Sequence, residues 1–184
     1  MSAFTEAVVG DTRNWLERAV IGLNLCPFAK AVHVKGQVHY AVSSATQARE
    51  LLDDLATELA ALVALEPAVR DTSLLIAPCC LNDFLEFNDF MRQADRLVRK
   101  KGLEGVIQLA SFHPDYQFTG SEADDLANCT NRAPYPMLHL LRESSIARAV
   151  EAFPNAEAIY EANIETLRRL GADGWASLGV GRTV

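Results

Sequence analysis

NRAPYPMLHLLRE, Asn131 to Glu143, decides how far the sheet extends. Pro136 suits the first position of a helix, where its missing N–H is no loss. Leu140, Leu141, Ile146 and Val150 then form the helix's apolar side. This reading leaves three strands, with a fourth only if a hairpin supplies it. It also puts His139, Arg142 and Glu143, three and four residues apart, on adjoining parts of one helical face.

Before this stretch, Val106 to Phe112 is nearly all apolar and reads as a strand buried on both faces. The loop from His113 to Tyr135 follows it. Further upstream, Asn82 or Asp83 caps a helix with Phe84, Phe87, Phe90, Met91, Ala94 and Leu97 on one face, basic residues at its end and Gly102 beyond. Ser73 to Ala77, closed by Pro78, is short and apolar enough to be a strand. Ser44 and Gln47 have capping-box spacing ahead of a Leu51, Leu52, Leu55, Leu59, Leu62 stripe that ends before Pro67. Val38, Tyr40 and Val42 alternate as a strand, with a possible hairpin around Gly36. The apolar positions from Phe4 to Leu23 recur at helical spacing. Asn155 can cap a last helix to Leu170, with Gly171 as its stop and an irregular tail after it.

Strands alternating with helices predict a small α/β sheet, or an α+β ferredoxin-like sandwich. It would have three to four strands, helices packed on it, an N-terminal helix and two C-terminal helices. The 184 residues suit a single domain, 1–184. A formal charge of −7, from 17 basic and 24 acidic residues, disfavours general attraction to nucleic acid or anionic lipid. The start lacks a secretory signal pattern and no apolar run reaches membrane-spanning length, so a cytoplasmic protein is expected. Cys26, Cys79, Cys80 and Cys129 form no CxxC pair, and a disulfide framework is not expected.

The chemistry-bearing residues gather in FHPDYQF, Phe112 to Phe118, and in NRAPYPMLHLLRE. If the second and third strands are parallel, Pro78-Cys79-Cys80 and His113-Pro114-Asp115-Tyr116 leave the same sheet edge, where open α/β sheets hold ligands. His113 can act as acid, base or metal ligand, with Asp115 orienting an imidazole; it can equally bond to backbone. Arg132 and Arg142 can grip a carboxylate or phosphate, or pair with Glu143 or the acidic loop Glu122, Asp124 and Asp125. In LNLCPFAK, Leu23 to Lys30, Pro27 can open a helical turn with Cys26 at its cap and Lys30 one turn on, which would favour thiolate. The alternative is a buried cysteine in a hydrophobic plug. Cys26, His113, Cys129 and His139 have the atom types for a transition metal, and Cys-Pro occurs where haem is held, but no recognised ligand spacing is present. Walker, GxGxxG, GxSxG and HExxH signatures are absent. His33 and His39 read as exposed polar residues on a strand.

Together LNLCPFAK, QLASFHPDYQF (Gln108 to Phe118) and NRAPYPMLHLLRE resemble an uncharacterised bacterial family known only as domain of unknown function 1415, along nearly the whole chain. The resemblance implies no activity. It implies that Cys26, Pro27, His113, Pro114, Asp115, Tyr116, Asn131, Arg132, Pro134, Tyr135, Pro136, His139, Arg142 and Glu143 are the recurring motif positions. The family commonly has Ser at the position of Ala133 and an aromatic at that of Cys129, which sets Cys129 behind Cys26.

The leading expectation is a small enzyme acting on an anionic metabolite. Cys26, His113, Asp115 and His139 would be its catalytic groups, and Tyr116, Asn131, Arg132, Tyr135, Arg142 and Glu143 would bind substrate. The first alternative is a metal- or haem-binding redox protein using Cys26 with His113 or His139. The second is a partner-binding module whose surface is formed by Tyr116, Tyr135, Phe118 and the arginines. Neither substrate, reaction nor oligomeric state follows from the sequence.

Overall fold

The computed structural model describes residues 2–152 and 156–184. Its centre is a four-stranded mixed sheet, making the chain an α+β protein with helices at both termini. The strands are β1 (Val38–Val42), β2 (Thr72–Ile76), β3 (Ile107–Phe112) and β4 (Met137–Arg142), in the order β1-β2-β4-β3. β1 and β2 are parallel; β4 is antiparallel to both of its neighbours, so β1, β2 and β3 all run the same way.

The largest correction to the sequence reading is β4. Residues 137–142 form a strand, and the helix expected from Pro136 begins only at Glu143, as α5 (Glu143–Ala152). β4 inserts between β2 and β3, pushing β3 to an edge, where only Ile107 is fully buried. The expectation of a third strand buried on both faces is therefore overturned. A strand's period of two also separates His139 from Arg142, which point to opposite faces of the sheet, and Glu143 begins the next element.

The helices cover both faces. α3 (Ala48–Ala64) and α4 (Phe84–Lys100) pack Leu51, Leu55, Leu59, Leu62, Phe87 and Phe90 against Leu75, Leu138 and Leu140. Gln47 and Glu50 form the capping box of α3, three residues beyond the Ser44 start expected. Asp83 caps α4 by accepting from Leu85 and Glu86 N–H at 2.9 and 3.0 Å. On the opposite face, Val8, Trp15, Leu16, Ala19 and Val20 pack on Leu74, Ile76 and Met137. These residues come from α1 (Ala3–Trp15) and the six-residue π-helix that continues it, Leu16–Ile21.

α2 (Ala29–Val34) precedes β1, so there is no hairpin at Gly36, and His33 lies on a helix rather than on a strand. α6 spans Ala156–Ser177 with a kink at Gly171, whose φ is 73°; helix resumes past the glycine where an irregular tail was expected. Asn155, the expected cap, lies outside the described residues. Among the described residues no helix is long and apolar enough to cross a membrane.

Candidate functional site

The parallel sense of β2 and β3 brings their carboxyl ends to one edge, and His113 joins the two there. The imidazole is wholly buried, with Nε2 3.0 Å from the Leu81 carbonyl and Nδ1 accepting from the Asp115 N–H at 3.0 Å. These partners fix the Nε2–H tautomer. Burial lowers the pKa of His113, so the neutral form persists. Leu81 has φ 56°, an uncommon conformation for a bulky residue, and the His113 bond holds its carbonyl. Asp115 contributes its backbone N–H, while its side chain is exposed. Phe84 and Phe87 flank the imidazole on the α4 side.

Asn131, Arg132, Tyr135 and Arg142 are also bonded within the fold. Arg132 donates from Nε to the Tyr116 carbonyl at 3.2 Å and from Nη2 to that of Ala123 at 2.6 Å. Asn131 donates to the Ser111 carbonyl, bracing β3. Arg142, 9% exposed, donates to the carbonyls of Leu62, Leu65 and Arg70, the first two at the carboxyl end of α3. Tyr135, 1% exposed, donates to Asp11 Oδ2 at 2.7 Å, and burial raises its pKa. Tyr135 therefore contributes nothing to an exposed partner surface. The Tyr116 ring packs at a tilt against Phe84 and edge-on against Phe118.

Cys26 and His139 lie elsewhere. They line a cavity of about 360 Å³ between the sheet and the layer formed by α1, the π-helix, α2 and α5. Leu74, Ala110 and His139 form one cross-strand row of its floor, with Ala110 leaving space beside the imidazole. Trp15, Leu16 and Val20 contribute to one wall, Phe28 and Val32 to a second, and Ile146, Ala149 and Val150 to a third. His139 Nε2 is out of reach of solvent and has no hydrogen-bond partner among the described residues. Desolvation lowers the pKa of His139 to about 4, so it is uncharged at neutral pH. At the rim, Asp71 accepts from the Ser145 hydroxyl at 2.7 Å and lies 3.8 Å from Arg148.

Cys26 lies in the turn between the π-helix and α2, which starts at Ala29, two residues later than a cap at Cys26 would require. Lys30 is exposed. Cys129 and Cys80 are buried thiols with raised pKa values, that of Cys80 pushed up to about 11, first by burial and then by neighbouring Cys79 and acidic groups. Among the described residues no group of three or more His, Cys, Asp and Glu side chains gathers to hold a metal ion. The four atoms considered as ligands divide among separate places: Cys26 and His139 at the cavity, His113 against α4, and Cys129 in a cluster with Leu25 and Leu167.

The sequence reading missed two kinds of residue. Asn128, fully buried, organises the long loop by accepting from Phe118 N–H and Ser121 Oγ and donating to the Glu122 carbonyl. Its loop position gave no sign of burial. The cavity walls come from Trp15, Phe28, Val38 and Ala110, residue types indistinguishable from core; the only available signal was alternation along β1 and β3.

Fold and site define an α+β protein with an apolar cavity floored by the sheet and lined by a histidine with an unpaired nitrogen. Over residues 7–177 the chain matches the family described as "Protein of unknown function (DUF1415)", and it belongs to that family. No curated protein and no solved structure matches it.

Proposed function

We propose that this protein binds a small, largely apolar molecule in the cavity between the sheet and the α1, π-helix, α2 and α5 layer. Cys26 and His139 are the groups positioned to act on it. The observation that carries the reading is the His139 imidazole on the wall of a mainly apolar cavity, with its Nε2 buried and without a partner among the described residues. An unpaired buried polar atom costs about 1–3 kcal/mol, and a turn of the ring that brings Nε2 to a ligand relieves that cost. The cavity volume falls in the range of small-molecule sites, roughly 300–1,000 Å³. The π-helix supports the reading further, since such segments often occur at functional sites.

Neutral His139, with its lowered pKa, is a hydrogen-bonding group and a weak base; Cys26 is the candidate nucleophile. The expected grip on an anion by Arg132 and Arg142 has less support, because both guanidinium groups already donate to backbone carbonyls. The metal or haem reading retains Cys26 and His139 but lacks a third donor grouped with them among the described residues.

The two accessible thiols provide a test. Cys26 lines the cavity and Cys79 is exposed elsewhere, so a cavity ligand should slow alkylation of Cys26 while leaving Cys79 unchanged. Peptide mass spectrometry after timed alkylation, with medium-chain alcohols, amides, acids and simple aromatics as the panel, reads both rates. Unchanged Cys26 rates across the panel would refute the reading.

A further inference from the structure

We infer that the ligand is uncharged, with an apolar body and one hydrogen-bonding group that meets His139. This rests on the proposed cavity and narrows the chemistry it accepts. Among the lining side chains Asp71 alone carries a formal charge, and it is negative. Its carboxylate already accepts from Ser145, and the nearby cation, Arg148, is not part of the lining. A carboxylate or phosphate drawn into this space would leave water without a cationic partner on the wall. Desolvating an unpaired charge costs far more than desolvating an amide or hydroxyl. Among the described residues the only buried side-chain nitrogen without a partner is that of His139, whose imidazole is neutral and whose depressed pKa opposes its protonation by an acid ligand at neutral pH.

The cavity's shape assigns positions to the two parts of such a ligand. His139 sits in the middle row of the sheet face, between Leu74 on β2 and Ala110 on β3. The polar group therefore belongs over the floor near Ala110, and the apolar body extends between Trp15, Phe28 and Ile146. A neutral imidazole can accept or donate according to tautomer, so an alcohol, amide or carbonyl compound can satisfy it. A hydrocarbon of the same shape cannot, and an anion brings an uncompensated charge.

The test compares octanol, octanamide and octanoate by calorimetry on the full chain at neutral pH, with the imidazole NMR signals of His139 reporting contact. The two neutral probes are expected to bind tighter than octanoate by about tenfold or more, and to shift the His139 signals. His139→Leu should weaken octanol and octanamide by about fivefold or more, while His139→Gln, which keeps a hydrogen-bonding group, retains their advantage over octanoate. Octanoate binding as tightly as octanol, or neutral-probe binding unaffected by His139→Leu, would overturn the inference while leaving the cavity as a binding site. No binding of any of the three probes would overturn the proposed cavity function itself.

Discussion

His113 is buried and His139 half-buried with its Nε2 closed to solvent, and desolvation lowers the pKa of both, yet their surroundings differ in one respect. His113 has a backbone partner for each ring nitrogen. His139 leaves Nε2 unpaired at an apolar cavity. Burial with full pairing is how a fold uses a histidine to fix a loop; burial without it leaves a free-energy cost that a ligand can offset. The same contrast separates Arg132, Arg142 and Tyr135 from the cavity wall. Conspicuous chemistry in the two motifs mostly serves to hold the chain, and the exception is the candidate site.

The strongest attack on this division is Arg142→Ala, which strips the donors from the Leu62, Leu65 and Arg70 carbonyls around a buried side chain. It should lower unfolding stability by about 3 kcal/mol or more in chemical denaturation. A nearly unchanged midpoint would return Arg142 to the pool of available anion-binding groups. His113→Leu should come next, losing about 2 kcal/mol as the Leu81 carbonyl and Asp115 N–H lose their partner, and it should increase proteolysis of the loop after β3. Tyr135→Phe removes one bond to Asp11, which keeps its two bonds from Thr183. A loss of about 1.5 kcal/mol is expected. The smallest effect has the opposite sign: His139→Leu should gain about 1 kcal/mol at pH 7, because it removes an unpaired polar atom.

Much of the scaffold was legible because its elements carry unambiguous signals. The α3 stripe ends before Pro67, α4 has Asp83 before it and Gly102 after it, and β2 is too short to be a helix. β4 was not legible because both of its faces meet apolar surroundings. A strand covered on both sides loses polar alternation, and with Pro136 before it and Ile146 and Val150 after it, MLHLLR fits a helical stripe. This error joined His139 to Arg142, which the sheet then separated. Cys26 and His139 were legible as candidates by residue type. That they share a cavity depends on β4 lying at the sheet centre and on α2 folding back before β1, neither of which local periodicity encodes.

The central claim is that His139 Nε2 is buried without a partner among the described residues, and unfolding free energy against pH for the wild-type chain and His139→Leu tests it directly. A folded-state pKa near 4 against an ordinary 6.5 means the unfolded chain binds more protons between those values. Wild-type stability attributable to His139 is therefore intact above about pH 6.5 and lost as pH falls toward 4. Asp71 and Cys26, the other titratable groups on the cavity wall, are common to both proteins, so the difference isolates the imidazole. The account predicts that His139→Leu is the more stable protein at pH 7 and that its advantage widens by roughly 3 kcal/mol down to pH 4. A less stable His139→Leu at pH 7, with a gap that does not widen on acidification, would contradict it.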